Sequence, residues 1–169
     1  MAVEKTELPK DSRLHGFFKK GDFLDCYSVQ LGRENLPIEE VAQHIFIGLP
    51  AWIDTLLFLR DAAVGPFGLK KTADLPRDTA MREKVKAGEA INFFPVQSVA
   101  ENEIILGEDD RHLDFKIAVY RDREKPGRIS LATLVHTHNC LGRTYLRLIS
   151  SFHVLIVSAR LAALARKLA

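Results

Sequence analysis

The chain is 169 residues long, 47% hydrophobic and 27% charged, and its 24 Lys and Arg against 22 Asp and Glu leave a formal net charge of +2. That length suits one domain and can bury about 70% of the unfolded chain's surface without a metal or disulfide. Collagen-like, low-complexity and disulfide-scaffold classes are excluded, and the concentrated basic excess of a nucleic-acid binder is missing.

In chain order, MAVEKTELPKD carries charges throughout and has no apolar core, so no signal peptide is expected. Residues 1–20 read as an N-terminal extension anchored by Phe17 and Phe18. The segment DFLDCYSVQL alternates, with Phe23, Asp25, Tyr27, Val29 and Leu31 on one face, and predicts a strand over 22–31. Leu36-Pro37 opens a helix in which Ile38, Val41, Ala42, Ile45 and Phe46 recur at helical spacing. Gly48 ends it, and Pro50 opens a second helix with Trp52, Leu56, Leu59 and Ala63 along one stripe, stopping at Gly65-Pro66. Residues 66–89 form a polar connection in which Asp78 to Lys86 predicts a short exposed helix closed by Gly88.

The period then becomes strand-like, over 90–98, 102–107, 112–121 and 128–138, with turn chemistry (AEN, EDDR, DREKPG) between the runs. From Leu141 to Leu168 there is no proline, which predicts a helix of 28 residues, about 42 Å long. Leu141, Tyr145, Leu148, Phe152, Leu155 and Ala159 make one apolar stripe of it. Val157, Leu161, Leu164 and Leu168 make a second, on the side of Arg143, Arg147 and Arg160. The first stripe is expected against the sheet, and the second is expected to be shared with a second copy in a homodimer. The twelve-residue apolar run Leu148–Ala159 is too short to span a membrane, which needs about 20. Two widely separated cysteines read as reduced thiols of a cytoplasmic protein.

The element order is that of a single α+β domain over 1–169: a strand, two helices, an antiparallel meander and a long C-terminal helix over 141–168. That order is helix-grip-like, as in START-like and polyketide-cyclase-like domains, with a sheet packed on the last helix and often a cavity between them. Five strands are expected, where the full version of that fold has seven.

Four segments, DFLDCYSV, LPAWIDTLLFLRDAAVGPFGLK, LGEDDRHLDF and LVHTHNCLGRTYL followed by FHVLIV, resemble a bacterial family known mainly as a domain of unknown function. The resemblance covers residues 22–70 and 90–160 and is consistent with the helix-grip-like reading. That family occurs alone or fused to the C-terminus of short-chain-dehydrogenase-like NAD(P)-binding domains, which implies a dehydrogenase-like partner. It carries no established catalytic residue. No GxGxxG occurs in this chain, so no cofactor is expected.

The densest chemistry lies in GEDDRHLDF and LVHTHN. If the last two strands pair so that residue numbers sum to 250, His112 faces His138 and Asp114 faces His136. Three histidines and a carboxylate would then share one cross-strand square, a set that could ligate zinc or iron. A one-residue slip would dissolve it, and the preferred reading is an ion-pair and hydrogen-bond cluster without a metal. Asn139 suits a helix N-cap. Residues 101–114 hold six acids against Arg111, whereas residues 128–169 hold six cations and no acid. Arg143 and Arg147, in the first turns of the last helix, oppose its dipole and point to carboxylate partners at Asp109 or Asp110.

Trp52, Phe94, Phe115, Tyr145 and Phe152 are the residues expected to line a pocket for an apolar ligand. Ser150, Ser151 and His153 lack an acid partner at workable spacing, and no GxSxG occurs, which argues against a hydrolase triad. The function expected first is binding of a small apolar or amphipathic ligand between sheet and last helix. The alternatives are a cyclase- or isomerase-type enzyme with Asp114, His138 and Arg143 at the polar mouth of that cavity, or a structural, dimerising domain.

Overall fold

Alternating apolar side chains make strands that bury one face each, and their pairing builds one sheet. The computed structural model describes residues 2–65 and 77–169, the side chains at 60, 63, 64 and 151 excepted. Its strands are β1 (Glu4–Lys5), β2 (Phe23–Gln30), β3 (Ala90–Ile91), β4 (Phe94–Val99), β5 (Glu103–Asp109), β6 (Leu113–Arg121) and β7 (Arg128–Thr137). They form a seven-stranded antiparallel sheet in the order β1-β2-β7-β6-β5-β4-β3. The helices are α1 (Ile38–Phe46), α2 (Ala51–Val64) and α3 (Cys140–Lys167), and the architecture is α+β.

Two more strands exist than the alternation predicts. β1 is a two-residue strip whose Glu4 lies opposite Ser28. The run expected over 90–98 is split into β3 and β4 at Asn92, where φ is +56°. Asn tolerates that left-handed turn, and its amide donates to the Phe46 carbonyl at 2.9 Å. Asn92 also exchanges both backbone hydrogen bonds with Asp78, at 2.8 and 2.6 Å. That bridge is why the helix expected over Asp78–Lys86 does not form. Asp78 is committed to an extended pairing, and Gln43 takes both the N–H and the carbonyl of Arg82. The start of the polar connection, residues 66–76, lies outside the described residues, as do the side chains of Ala63 and Ser151.

The sheet is covered on both faces. On the inner face Tyr27, Val29, Ile104, Leu106, Val119, Ile129 and Leu131 join α1 and α3 in the main core. On the outer face Cys26, Ile105, Ala118, Ala132 and Leu134 pack under Leu14, which is fully buried. Residues 4–5 and 11–14 of the segment read as an extension therefore pack onto the sheet. Ser12 Oγ and the Arg13 N–H donate to the two oxygens of the buried Glu103 carboxylate at 2.5 and 2.8 Å, and Tyr120 Oη donates to Asp11 at 2.5 Å. The anchor is Leu14, not Phe17 and Phe18, which are 43% and 47% exposed.

The last helix corrects a second expectation. Its length is as the sequence predicts, 28 residues, capped by Asn139, whose Oδ1 accepts from the Gly142 N–H at 2.9 Å. From Leu148 onward its faces are the reverse of those expected. Val157, Leu161, Leu164 and Leu168 lie in the main core, and Leu148, Phe152 and Leu155 are 61%, 47% and 55% exposed. The stripe reserved for a second copy is thus taken up within the chain, which removes the argument on which the homodimer rested.

Arg160 supplies the reason. Its Nε donates to the Ile45 carbonyl at 2.6 Å and its Nη2 to His44 and Ile47 carbonyls at 2.9 and 3.1 Å, filling the acceptors left at the end of α1. That attachment sets the rotation of α3 about its axis. No single helix among the described residues is long and apolar enough to cross a membrane.

Candidate functional site

Between the inner face of the sheet and α3, with α1 and α2 along one side, lies a cavity of about 280 Å³. Strand alternation supplies the sheet wall: Phe23 from β2, Phe115 and Ile117 from β6, and Leu131, Thr133 and Val135 from β7. Tyr145, Ile149 and His153 of α3 form the opposite wall at helical spacing. Phe94 stacks between Phe93 and Phe46 (ring centroids 4.4 and 4.9 Å away), with the Phe115 ring edge-on at 6.2 Å. Such tilted and edge-on pairs hold aromatic side chains in fixed positions.

Three of the five aromatics expected at a ligand, Phe94, Phe115 and Tyr145, line the cavity. Trp52 and Phe152 do not; they face outward, 39% and 47% exposed. Along α2 it is Ile53 and Leu57 that turn inward, one position round from the expected stripe of Trp52, Leu56 and Leu59. The outward faces of α2 and α3 therefore carry an exposed apolar set, Phe58 and Leu59 on one and Leu148, Phe152 and Leu155 on the other.

Of the pair formed by His153 and Asp25, His153 lines the cavity and Asp25 lies behind the lining. Asp25 occupies the apolar face of β2, between Phe23 and Tyr27, is 6% exposed, and stands opposite Thr133 on β7. Its Oδ1 accepts from His153 Nε2 at 3.2 Å, and its Oδ2 is buried with no hydrogen-bond partner among the described residues. A carboxylate oxygen can only accept, so this contact puts a ring proton on Nε2. The rings of His153 and Phe23 meet edge-on at 6.3 Å, which holds the imidazole against the cavity. The acid partner that His153 lacked by sequence spacing is thus supplied by β2. The signal in the sequence was a lone carboxylate on the apolar face of an alternating strand.

The buried carboxylate is felt by its neighbours. Burial, and then Asp25, push the Cys26 thiol up to about 12 and raise the Tyr27 hydroxyl above its ordinary value.

The histidine-rich hairpin forms in the register drawn from sequence, with Asp114 opposite His136 and the His138 N–H donating to the His112 carbonyl at 3.0 Å. The His136 and His138 rings meet edge-on, centroids 5.1 Å apart, yet their polar partners differ. His136 Nδ1 donates to Asp22 at 2.5 Å, His138 Nε2 contacts Asp114 at 2.9 Å, and Asn139 Nδ2 donates to His112 Nδ1 at 3.0 Å. Each histidine has its own partner, so the square does not close. Among the described residues no three His, Cys, Asp or Glu side chains gather closely enough to hold a metal ion.

This cluster ties the hairpin turn to the start of α3. Neither Asp114 nor His138 nor Arg143 is part of the cavity lining, so the polar mouth expected from them is not there. Asp114 shares its side of β6 with Ala118, which packs beneath Leu14 on the outer face. Arg143 donates to Cys140 Sγ at 2.9 Å rather than to a turn acid, and Asp109 is held by Lys116.

A family model described as protein of unknown function (DUF2867) matches residues 17–160. No curated protein and no solved structure matches the chain.

Proposed function

The chain belongs to that family of unknown function, DUF2867, and we propose that it is a helix-grip-like binding module that holds a small apolar or amphipathic molecule between its sheet and α3. The observation that carries this reading is the cavity itself. Its volume, about 280 Å³, falls just below the roughly 300–1,000 Å³ typical of small-molecule sites. Its wall is mainly aromatic and aliphatic, with few polar groups, and it is built from rigid strands and a capped helix. Such a lining favours an apolar body by removing its surface from water. Fixed aromatics lessen the ordering that binding requires.

The test uses N-phenyl-1-naphthylamine, a neutral fluorescent probe, titrated into the intact chain. One saturable site is expected. Val135→Trp, which fills the sheet side of the cavity, should weaken the probe at least tenfold while the protein still melts cooperatively. Phe152→Ser, on the outward face of α3, should leave binding within twofold. Binding that ignores Val135→Trp, or that is lost in Phe152→Ser, would place the probe on the exposed helix faces and refute the proposal.

A second reading, an enzyme of the cyclase or isomerase type, draws support from one observation, that His153 of the wall is held from behind by the buried Asp25. A histidine held by a buried carboxylate and facing an apolar cavity is placed to take up a proton from a bound molecule. A bound ketone deuterated next to its carbonyl would then lose deuterium faster with the wild-type chain than with His153→Gln; equal rates would refute this reading.

A further inference from the structure

Resting on the binding reading above, we infer that the cavity recognises an apolar molecule carrying one neutral carbonyl oxygen, and that the Thr133 hydroxyl is the group that receives it. Thr133 stands in the sheet wall between Leu131 and Val135, its inward neighbours on β7, and all three line the cavity. It is 6% exposed, and among the described residues no group shares a hydrogen bond with its hydroxyl. The other hydroxyl-bearing residues of the lining differ in this respect. Ser150 Oγ donates to the Arg147 carbonyl at 3.0 Å, and Tyr145 is already engaged. A buried hydroxyl without a partner costs stability, and natural folds seldom leave one without a purpose. Val has the outline of Thr, suits a strand as well and carries no such cost. Packing alone therefore gives no reason for Thr at 133, whereas a ligand oxygen does.

The surroundings decide what the hydroxyl can take. Across its two ladders Thr133 stands opposite Ile117 on β6 and Asp25 on β2. Asp25 lies behind the lining and in turn holds His153 of the facing wall. Phe23, Ile117, Leu131 and Val135 present only hydrocarbon around the hydroxyl. The hydroxyl has one proton to give, and a carbonyl oxygen accepts it without bringing a proton that needs an acceptor of its own. A hydrocarbon of the same outline would cover the hydroxyl and leave it unpaired, which is the strongest ground on which a pocket rejects a near-isostere.

Two ligands of one outline test this: 2-acetylnaphthalene and 2-isopropenylnaphthalene, which differ in C=O against C=CH2. Each is titrated by displacement of N-phenyl-1-naphthylamine from wild type, Thr133→Val and Thr133→Ser at pH 7.5. The ketone-over-alkene affinity ratio should fall at least fivefold in Thr133→Val and stay within twofold of wild type in Thr133→Ser, which keeps the hydroxyl. The alkene should bind Thr133→Val at least as tightly as wild type. Without ligand, Thr133→Val should melt no lower than wild type, because no protein partner is lost. A lower melting temperature would mean that the hydroxyl serves the fold. A ratio unmoved in Thr133→Val, or lowered equally in Thr133→Ser, would mean that no ligand oxygen meets it. Any of these results, or displacement by neither compound, overturns the inference and leaves the binding reading standing. If the fluorescent probe itself does not bind wild type, the binding reading falls with it.

Discussion

Gly142 lies so close to His112 that a Cβ on it would stand 2.2 Å from the His112 carbonyl oxygen. The first turn of α3 is thereby pressed against the start of β6, next to the Asn139 cap and the His138–Asp114 contact. Gly142→Ala would gain about 1 kcal/mol of helix propensity. A backbone oxygen cannot move aside as a side-chain end can, so the collision should outweigh that gain, with a net loss of about 1–3 kcal/mol. Asn139→Ala, which removes the cap and the side-chain hydrogen bond to His112, should cost about 0.5–2 kcal/mol. Urea denaturation of the two variants checks the order, and a stabilised Gly142→Ala would contradict it.

The rotation of α3 makes a prediction opposite to the one its sequence suggests. Leu161 is fully buried and Leu155 is 55% exposed. Leu161→Ala should cost about 2–5 kcal/mol, and Leu155→Ala should stay within about 0.5 kcal/mol of wild type. Equal losses would mean that both stripes are covered.

The two cysteines should separate by reactivity. Cys140 is exposed, whereas Cys26 is buried beneath Leu14 and its thiol is pushed up to about 12 by burial and by Asp25. Only the thiolate attacks a disulfide reagent. Ellman's reagent at pH 8 should therefore release one equivalent from the native chain and two in guanidinium. Rapid release of two from the native chain would place Cys26 elsewhere.

His44 gives a pH dependence whose sign can be stated. Burial, and then the Lys167 ammonium donating to its Nδ1 at 3.1 Å, hold its pKa below the ordinary 6.5, although Glu40 works the other way. The folded chain thus binds a proton at His44 less readily than the unfolded chain. The stability this contributes is complete above 6.5 and is lost as pH falls through the lower folded value. An NMR titration should place the His44 midpoint below 6.5, and Lys167→Met should raise it. A midpoint at or above 6.5 in the wild-type chain would refute the assignment.

What the sequence determined by itself was what repeats locally. The period of two in β2 and in the meander, the Pro and Gly punctuation around α1 and α2, the Asn139 cap and the unbroken helical run from 140 to 167 are all decided by neighbours within a few residues. Even the register of β6 and β7 could be drawn, because a short turn fixes which residues of a hairpin meet.

The tertiary structure alone decided what depends on distant partners. α3 carries two apolar stripes of equal merit, and no local rule chooses between them; the choice came from Arg160, whose donors needed the carbonyls 112 to 116 residues away. The histidine square failed for the same reason, since Asp22 and Asn139 were nearer partners than a common metal. Asp25 and His153, 128 residues apart, meet only because β2 pairs with β7 beneath α3. A lone carboxylate on an apolar strand face can mark a site in the sequence, but its chemistry depends on the group that folding brings against it.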